Sequence, residues 1–264
     1  MRLIFAAGAA ALLLGAALPA GAKAPSSRSA PSPTTAAPTV AVPAGLPASL
    51  GILPFRMNYH VLRNGWHLGN AVFELQRDDG IWHFHSRAKA SGLASLFVHS
   101  TFSESSRFRV HDGILRPLSY TYKDSGNAGH DEHLSFDWPR GVATDTKGDK
   151  THAFRIVPGM LDRLTAQLEL SRELESGVPL AKTFVVINGG KVKRFRLKRH
   201  GKDEIGTPAG SFHTERVARH DPKSGRVTTF WLAPKYDWLP VKIEQREPGK
   251  ATITFVLSKF RWLK

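Results

Sequence analysis

Cysteine is absent from all 264 residues. That excludes a disulfide framework, a thiolate metal site and a lipid anchor on cysteine. Acidic residues are scarce: 22 Asp and Glu stand against 37 Lys and Arg, a formal charge of +15. Such a balance does not specify a fold, but it predicts attraction to polyanions. No stretch after Leu18 approaches the roughly 20 apolar residues that a spanning helix needs. Nucleophile and phosphate-loop signatures are missing as well. There is no Gly-x-Ser-x-Gly elbow, no His-Glu-x-x-His and no glycine-rich phosphate loop, and no cofactor is expected. Ser211 lies in the turn Ala209-Gly-Ser-Phe212 with nothing nearby to act as its base. Pro208 and Gly210 there have a sufficient conformational reason, one setting φ and the other supplying a positive one.

The chain opens on a positive residue, Arg2, an uncharged apolar run from Leu3 to Leu18, and small residues at Ala20 and Ala22. Residues 1–22 therefore read as a cleaved signal peptide, the apolar run being too short for a membrane anchor. A lone arginine near the start favours the general secretory route over the twin-arginine one. The expected location is the periplasm, with no transmembrane segment once the signal is removed. The polyanions available there are lipopolysaccharide, acidic phospholipid headgroups and acidic glycans; nucleic acid is excluded by compartment. Residues 23–54 are dominated by Ala, Pro, Ser and Thr. Such a segment buries too little apolar surface to offset its chain entropy and is expected to be a disordered linker.

About 210 residues remain, a length that fits one all-β domain or two small ones; residues 55–264 are read as a single β-rich domain. Met57, Tyr59 and Val61 alternate with polar residues up to Asn64-Gly65, a dipeptide suited to a two-residue hairpin turn. Ala71, Phe73 and Leu75 alternate on the way back to Asp78-Asp-Gly80, and Trp82 and Phe84 share one face of the next strand. His111-Asp-Gly113 and Pro139-Arg-Gly141 punctuate further strands. Val241, Ile243 and Gln245, then Ile253, Phe255 and Leu257, are the cleanest alternations.

The period changes between Pro158 and Glu175. Leu161, Leu164, Leu168 and Leu174 form a helical stripe opposite Arg163, Glu169 and Arg172, and Gly177 with Pro179 ends it. Leu93–Val98 fits either a short helix or a bent strand. One amphipathic helix among many strands predicts a mainly β fold, a large curled antiparallel sheet (half-barrel or spiral) with the helix packed on its concave face. A sandwich closed by the helix is the alternative. An outer-membrane barrel is disfavoured by charge on alternate positions and by the internal helix.

Several segments together resemble the uncharacterised bacterial exported family named domain of unknown function 3108. They are Tyr59-His-Val-Leu-Arg-Asn-Gly65 with Leu68-Gly69, Pro117-Leu-Ser-Tyr120, Asp162-Arg-Leu-Thr165, Glu204-Ile-Gly-Thr-Pro-Ala-Gly-Ser-Phe212, Phe230-Trp-Leu-Ala-Pro234 and Leu239-Pro-Val-Lys-Ile-Glu244. The resemblance spans residues 55–264 and implies an exported β-rich domain without an established activity. At the level of fold alone, the expected sheet is similar to periplasmic lipoprotein carriers and β-spiral envelope proteins.

Two segments are candidate binding surfaces. Lys191, Lys193, Arg194, Arg196, Lys198, Arg199 and Lys202 place seven cations within twelve residues. On one strand Arg194, Arg196 and Lys198 would point away from Phe195 and Leu197, a cationic ladder for phosphate or carboxylate. A solvated face that discourages edge pairing explains the same residues. In the proline-bounded loop Trp231 to Pro240, Tyr236 and Trp238 would stack on a sugar or an acyl chain, or else plug one end of the sheet. His83 with His85, and His130-Asp-Glu-His133, lack a third ligand at zinc spacing, so no metal site is expected.

The sequence thus favours a non-catalytic binding or envelope-maintenance protein for an anionic or amphipathic ligand, a lipid, lipopolysaccharide or acidic glycan. The alternative is an interaction module that joins an envelope protein through an exposed sheet edge. A periplasmic glycan hydrolase, needing paired carboxyls in a cleft, is the third reading.

Overall fold

The computed structural model of the chain describes residues 51–92, 95 and 99–263. The expected signal peptide, the expected linker up to residue 50 and, apart from Ser95, the stretch Leu93–Val98 lie outside the described residues.

Eight strands come first: β1 (Phe55–Arg63), β2 (Trp66–Asp78), β3 (Ile81–Ala90), β4 (Thr101–His111), β5 (Ile114–Asp124), β6 (Glu132–Asp137), β7 (Val142–Lys147) and β8 (Lys150–Arg155). Alternation decides their faces: in β1 every second residue from Phe55 to Val61 is buried, and the intervening ones are not. Three of the hairpins use the same two-residue turn. Asn64-Gly65, Asp79-Gly80 and Asp112-Gly113 all have positive φ at both central positions, the twist that matches paired strands. A short strand β9 (Met160–Leu161) precedes helix α1 (Arg163–Glu175), followed by β10 (Phe184–Ile187) and β11 (Val192–Phe195). The chain ends with β12 (Lys198–Thr207), β13 (Gly210–Asp221), β14 (Arg226–Ala233), β15 (Leu239–Arg246) and β16 (Ile253–Trp262).

Thirteen strands form one antiparallel sheet in the order β12-β13-β14-β15-β16-β1-β2-β3-β4-β5-β6-β7-β8. The last strand therefore lies beside the first, from Phe55 against Trp262 to Arg63 against Ile253. One wing runs outward from β1 to β8 and the other from β16 to β12. The sheet is not closed into a barrel, and β8 and β12 are its edges. A smaller sheet, β11-β10-β9, carries the parallel pair β9–β10. The expected mainly β fold, a large antiparallel sheet with one helix, is what the chain forms.

The helix differs from its expected setting. Asp162, not Pro158, starts it: its carboxylate accepts from Leu164 N (2.8 Å) and Thr165 N (2.9 Å), while Thr165 Oγ1 accepts from Asp162 N (3.0 Å). This reciprocal cap satisfies amides that would otherwise be buried without partners. Gly177, at φ 70°, supplies the left-handed residue after the end. Leu164, Leu168, Leu170 and Leu174 are no more than 1% exposed, each contributing roughly 1.5–3 kcal/mol. The face expected to be solvated is buried too, including Arg163 and Glu169. Burial is tolerated because each charge is paired: Glu169 Oε2 holds Arg172 Nη1 at 2.8 Å, and Lys182 bonds Glu169 and, at 2.6 Å, Glu173. Helix α1 thus fills the interior of the sheet, packed on β3, β4, β5 and β10.

Candidate functional site

The densest chemistry lies where α1 begins. Glu104 on β4, Tyr120 and Tyr122 on β5, Glu132 on β6 and Asp145 on β7 converge on Arg163. Cross-strand register brings them together, Glu104 opposite Tyr122 and Tyr122 opposite Glu132. Arg163 Nη2 lies 2.9 Å from Glu104 Oε1. Its guanidinium covers the Tyr120 and Tyr122 rings at 5.0 and 4.9 Å, its Nε donates to Tyr120 Oη at 2.7 Å, and Nη1 donates to Asn188 Oδ1 at 3.2 Å. The β10–β11 turn plugs into the same cluster: Gly189 N donates to Glu132 Oε1 (2.9 Å) and Gly190 N to Asp145 Oδ2 (2.8 Å).

One guanidinium faces three carboxylates in a dry setting. Burial, then Glu132, pushes Asp145 up to about 6. Burial also raises Glu104, although Arg163 and the hydrogen bonds from Tyr120 and Ser86 oppose it. For Arg163 burial works against the charge, but Tyr120, Glu104 and Glu132 outweigh it and raise its pKa. Raised carboxyls are a mark of hydrolytic sites. Here Glu104, Glu132, Asp145 and Arg163 are 0–3% exposed, so no glycan reaches them. The cluster fastens α1 and the β10–β11 hairpin to the first wing.

The residues singled out from the sequence fall in three places. Phe195 and Leu197 are buried and Arg194, Arg196 and Lys198 are exposed, as alternation requires. The basic segment is not one strand, however. Arg194 is on β11 in the small sheet, Lys198 opens β12 in the large one, and Arg196 lies between them with Nε donating to Thr183 Oγ1 (2.9 Å). The ladder is thus broken across two sheets. Tyr236 meets Phe212 and Phe260 edge-on, each at 5.2 Å, and Trp238 accepts at its carbonyl from Ser171 Oγ (2.9 Å). Both are half-buried and close one end of the sheet against α1. His83 and His85 stack at 6.2 Å, and His130 Nδ1 is 3.2 Å from Asp124 Oδ2. Among the described residues no three His, Asp or Glu are grouped to hold a metal ion.

A surface that sequence reasoning missed lies at the edge of the first wing. Beside β8 is an open hollow of about 550 Å³ lined by Trp138, Arg140, Val142, Phe154, Arg155 and Ile156, among others. Trp138 is held by stacking on Phe136 (6.2 Å), by its indole N–H donating to Pro117 O (2.7 Å) and by the Arg116 guanidinium above it (5.5 Å). Val142 is 38% exposed, and all but Phe154 of the β8 residues are exposed. The two sheet edges differ. Strand β8 follows β7 in unbroken register from Lys147–Lys150 to Val142–Arg155. Strand β12 is interrupted between Arg199 and Lys202, and Arg216 Nη2 donates to its His200 O (3.0 Å). Bulges and cations blunt an edge, and only β12 has the bulge. In sequence the signal was slight: Pro139-Arg-Gly141 reads as a turn, with nothing to mark its neighbours as an edge.

No helix among the described residues is long and apolar enough to cross a membrane. No curated protein matches the chain. Among solved structures, a beta-barrel-like protein of domain of unknown function DUF1849 from Brucella abortus is similar at 10% identity, covering 81% of this chain and 99% of that one, with a TM-score of 0.49. A Bacteroides fragilis protein described as exported, with a YmcC-like fold, is 13% identical over 81% of this chain and 97% of that one, TM-score 0.33. A Parabacteroides distasonis protein described as a lipoprotein is 10% identical over 80% and 96%, TM-score 0.31. Residues 54–256 match the family described as protein of unknown function DUF3108, and the chain belongs to that family.

Proposed function

We propose that the protein acts by binding, as an exported, periplasmic interaction module that adds an extended segment of another envelope protein to strand β8. The observation that carries this reading is an unbulged edge strand lying beside an apolar hollow. Strand addition uses those two features: main-chain hydrogen bonds supply affinity, and a pocket for alternate side chains supplies selectivity. Arg140 and Arg155 line the hollow and Lys150 begins β8, so the partner segment carries carboxylates around an apolar side chain.

A lipid carrier would need a cavity under the helix. Leu161, Leu164 and Leu168 are 0–1% exposed, whereas the wall of a water-sized cavity would retain accessible surface. The interior of this sheet is occupied by its own helix. That favours the edge over the concave face.

The test is amide hydrogen exchange on the full chain with a synthetic peptide alternating valine and threonine between terminal glutamates. Saturable slowing of exchange in β7 and β8, lost in Arg140→Glu/Arg155→Glu, is the expected result. Proline at His152 or at Ala153 should also abolish it, one of the two having its N–H on the free side. Unchanged exchange in β8 at saturating peptide, or binding indifferent to these substitutions, overturns the proposal.

A further inference from the structure

Part of the chain's excess of cations has a definite home, on the outer face of the sheet where β16, β1, β2, β3, β4 and β5 lie side by side. Four neighbouring rows cross these strands in register. One is Lys259–Asn58–Val72–Arg87–Ser103–Lys123, and the next is Arg261–Arg56–Glu74–His85–Ser105–Thr121. His60–Asn70–Lys89–Thr101 and Gln76–His83–Arg107–Ser119 flank these two. The row residues alternate along their strands with buried ones such as Phe55, Phe73 and Phe84, so they face away from α1 and the core.

Charge on this face has one sign. The four rows hold seven arginines and lysines against one carboxylate, Glu74, which is already bonded to Arg56 (2.6 Å) and to Gln76. Arg87, Lys89, Arg107, Lys123, Lys259 and Arg261 are exposed, and none of them is ion-paired with another described residue. The second wing is arranged otherwise: Arg226 and Lys250 share Glu247, and Arg199 holds Glu215 at 2.8 Å. Residues 1–50 cannot supply the missing charge, since they contain Arg2, Lys23 and Arg28 and no Asp or Glu. Like charges gathered on one sheet face repel, and an anion from outside the chain relieves that repulsion.

The face is also hollowed. An open depression of about 490 Å³ is lined by Arg56, Asn70, Val72, Glu74, Arg87 and Lys89, among others. Arg87 and Lys89 stand two residues apart on β3, roughly 7 Å along the strand. Across the strands the spacing is wider. Arg87 is three strands from Lys259 and two from Lys123, roughly 14 and 10 Å at about 4.8 Å per strand. Cations so far apart cannot close on one small anion; they match negative groups that recur along a chain. The exposed large apolar side chains among the described residues are Leu53, Trp66, Val142, Val178 and Trp262, none of them in the four rows. Docking on a lipid surface relies on such side chains as well as on charge, which favours a polar polymer over a membrane.

We infer that this face binds an acidic polysaccharide, a carboxylate-bearing glycan chain laid along the row from Lys259 through Arg87 to Lys123 with one sugar seated in the hollow. Arg87 and Lys89 would take the carboxylate of the seated sugar, Asn70 its hydroxyls, and Val72 the apolar side of its ring. Lys259 and Lys123 would meet carboxylates further along the chain on either side. Strand β5 is three strands from β8, so a bound glycan leaves the β8 edge free and the two surfaces are tested separately.

The probe is polygalacturonate, titrated calorimetrically into the full chain, with neutral dextran as the uncharged control. Arg87→Gln/Lys89→Gln/Lys123→Gln should weaken polygalacturonate binding roughly tenfold or more. These side chains are exposed and unpaired, so the melting midpoint should stay within about 2 °C of the parent. Arg87→Glu/Lys259→Glu, which reverses charge at two points of the row, should abolish binding. Arg194→Gln/Arg196→Gln/Lys198→Gln removes as many exposed cations elsewhere and should leave affinity within about twofold. Binding that follows this pattern, with none to dextran, supports the inference. No binding of polygalacturonate, equal binding of dextran, or equal losses in the two glutamine triples overturns it. Flotation with phosphatidylglycerol vesicles that depends on Arg87 and Lys89, in a protein that does not bind polygalacturonate, overturns it in favour of a membrane.

Discussion

Arg163→Met tests whether the buried charge cluster holds the helix in place. The substitution keeps much of the volume but removes the one cation that Glu104, Glu132 and Asp145 share. It also strips Tyr120 of a donor and Asn188 of its guanidinium contact. Removing one partner from a buried ion pair typically costs about 3–5 kcal/mol, because the other charge stays behind. Against a total stability of roughly 5–15 kcal/mol, that is about a fifth or more. At about 2–4 °C per kcal/mol for a chain this size, the midpoint should fall by roughly 6–20 °C at pH 7. The deficit should then shrink as pH is lowered. Arg163 is among the influences that lower Glu104 and Asp145, so its loss raises both carboxyls further in the folded state. A carboxyl with a raised folded pKa binds its proton more tightly folded than unfolded, and stability then falls as pH rises. Thermal melts at pH 7 and pH 5, with Glu104→Gln added to the methionine variant, measure both effects. A fall of less than about 2 °C, or a deficit that neither pH 5 nor Glu104→Gln reduces, refutes the reasoning.

Two further outcomes follow from the same region. Asp145, raised to about 6, carries a penalty that is absent below about pH 4 and complete above about pH 6. Asp145→Asn should therefore stabilise the protein at pH 7 by on the order of 1 kcal/mol, its carbonyl still accepting from Gly190 N, and the gain should vanish in melts near pH 4. Gly190→Ala should destabilise by more than about 1 kcal/mol. Its φ is 72°, and an added Cβ would lie 2.6 Å from His152 Cδ2. In chemical denaturation, His152→Ala should restore only the contact's share, because the left-handed backbone remains.

Strands were readable wherever one face is buried and the other is not. Val241, Ile243, Phe255 and Leu257 are 0–3% exposed, and their alternation needs no partner to be recognised. The turn dipeptides were equally plain, since positive φ restricts the choice to a few residues. What pattern reading missed came from long-range pairing. Arg163 looks like a solvated helix residue because its partners lie on β4 and β6, far along the chain. Lys191 to Lys202 looks like one basic strand because nothing local reports that β11 and β12 belong to different sheets. The same break hides the inward cation: alternation sets Arg194, Arg196 and Lys198 on the outer face, whereas Lys193 shares the Phe195 face and lies near Arg219 from across the fold. Edges are the extreme case, since being last in a sheet is a property of what does not pair.

The seat of β16 between β15 and β1 bears on the order of assembly. A chain made from its N-terminus completes β1 early, yet one side of β1 stays open until Ile253–Trp262 has emerged. Before that, each wing can meander locally, but no strand pairing joins them. The join is among the pairings of highest sequence separation, the kind that closes late and slowly. Full cooperativity therefore waits for β16, and a chain stopped before it would hold two half-sheets, each ending in an exposed edge prone to aggregate.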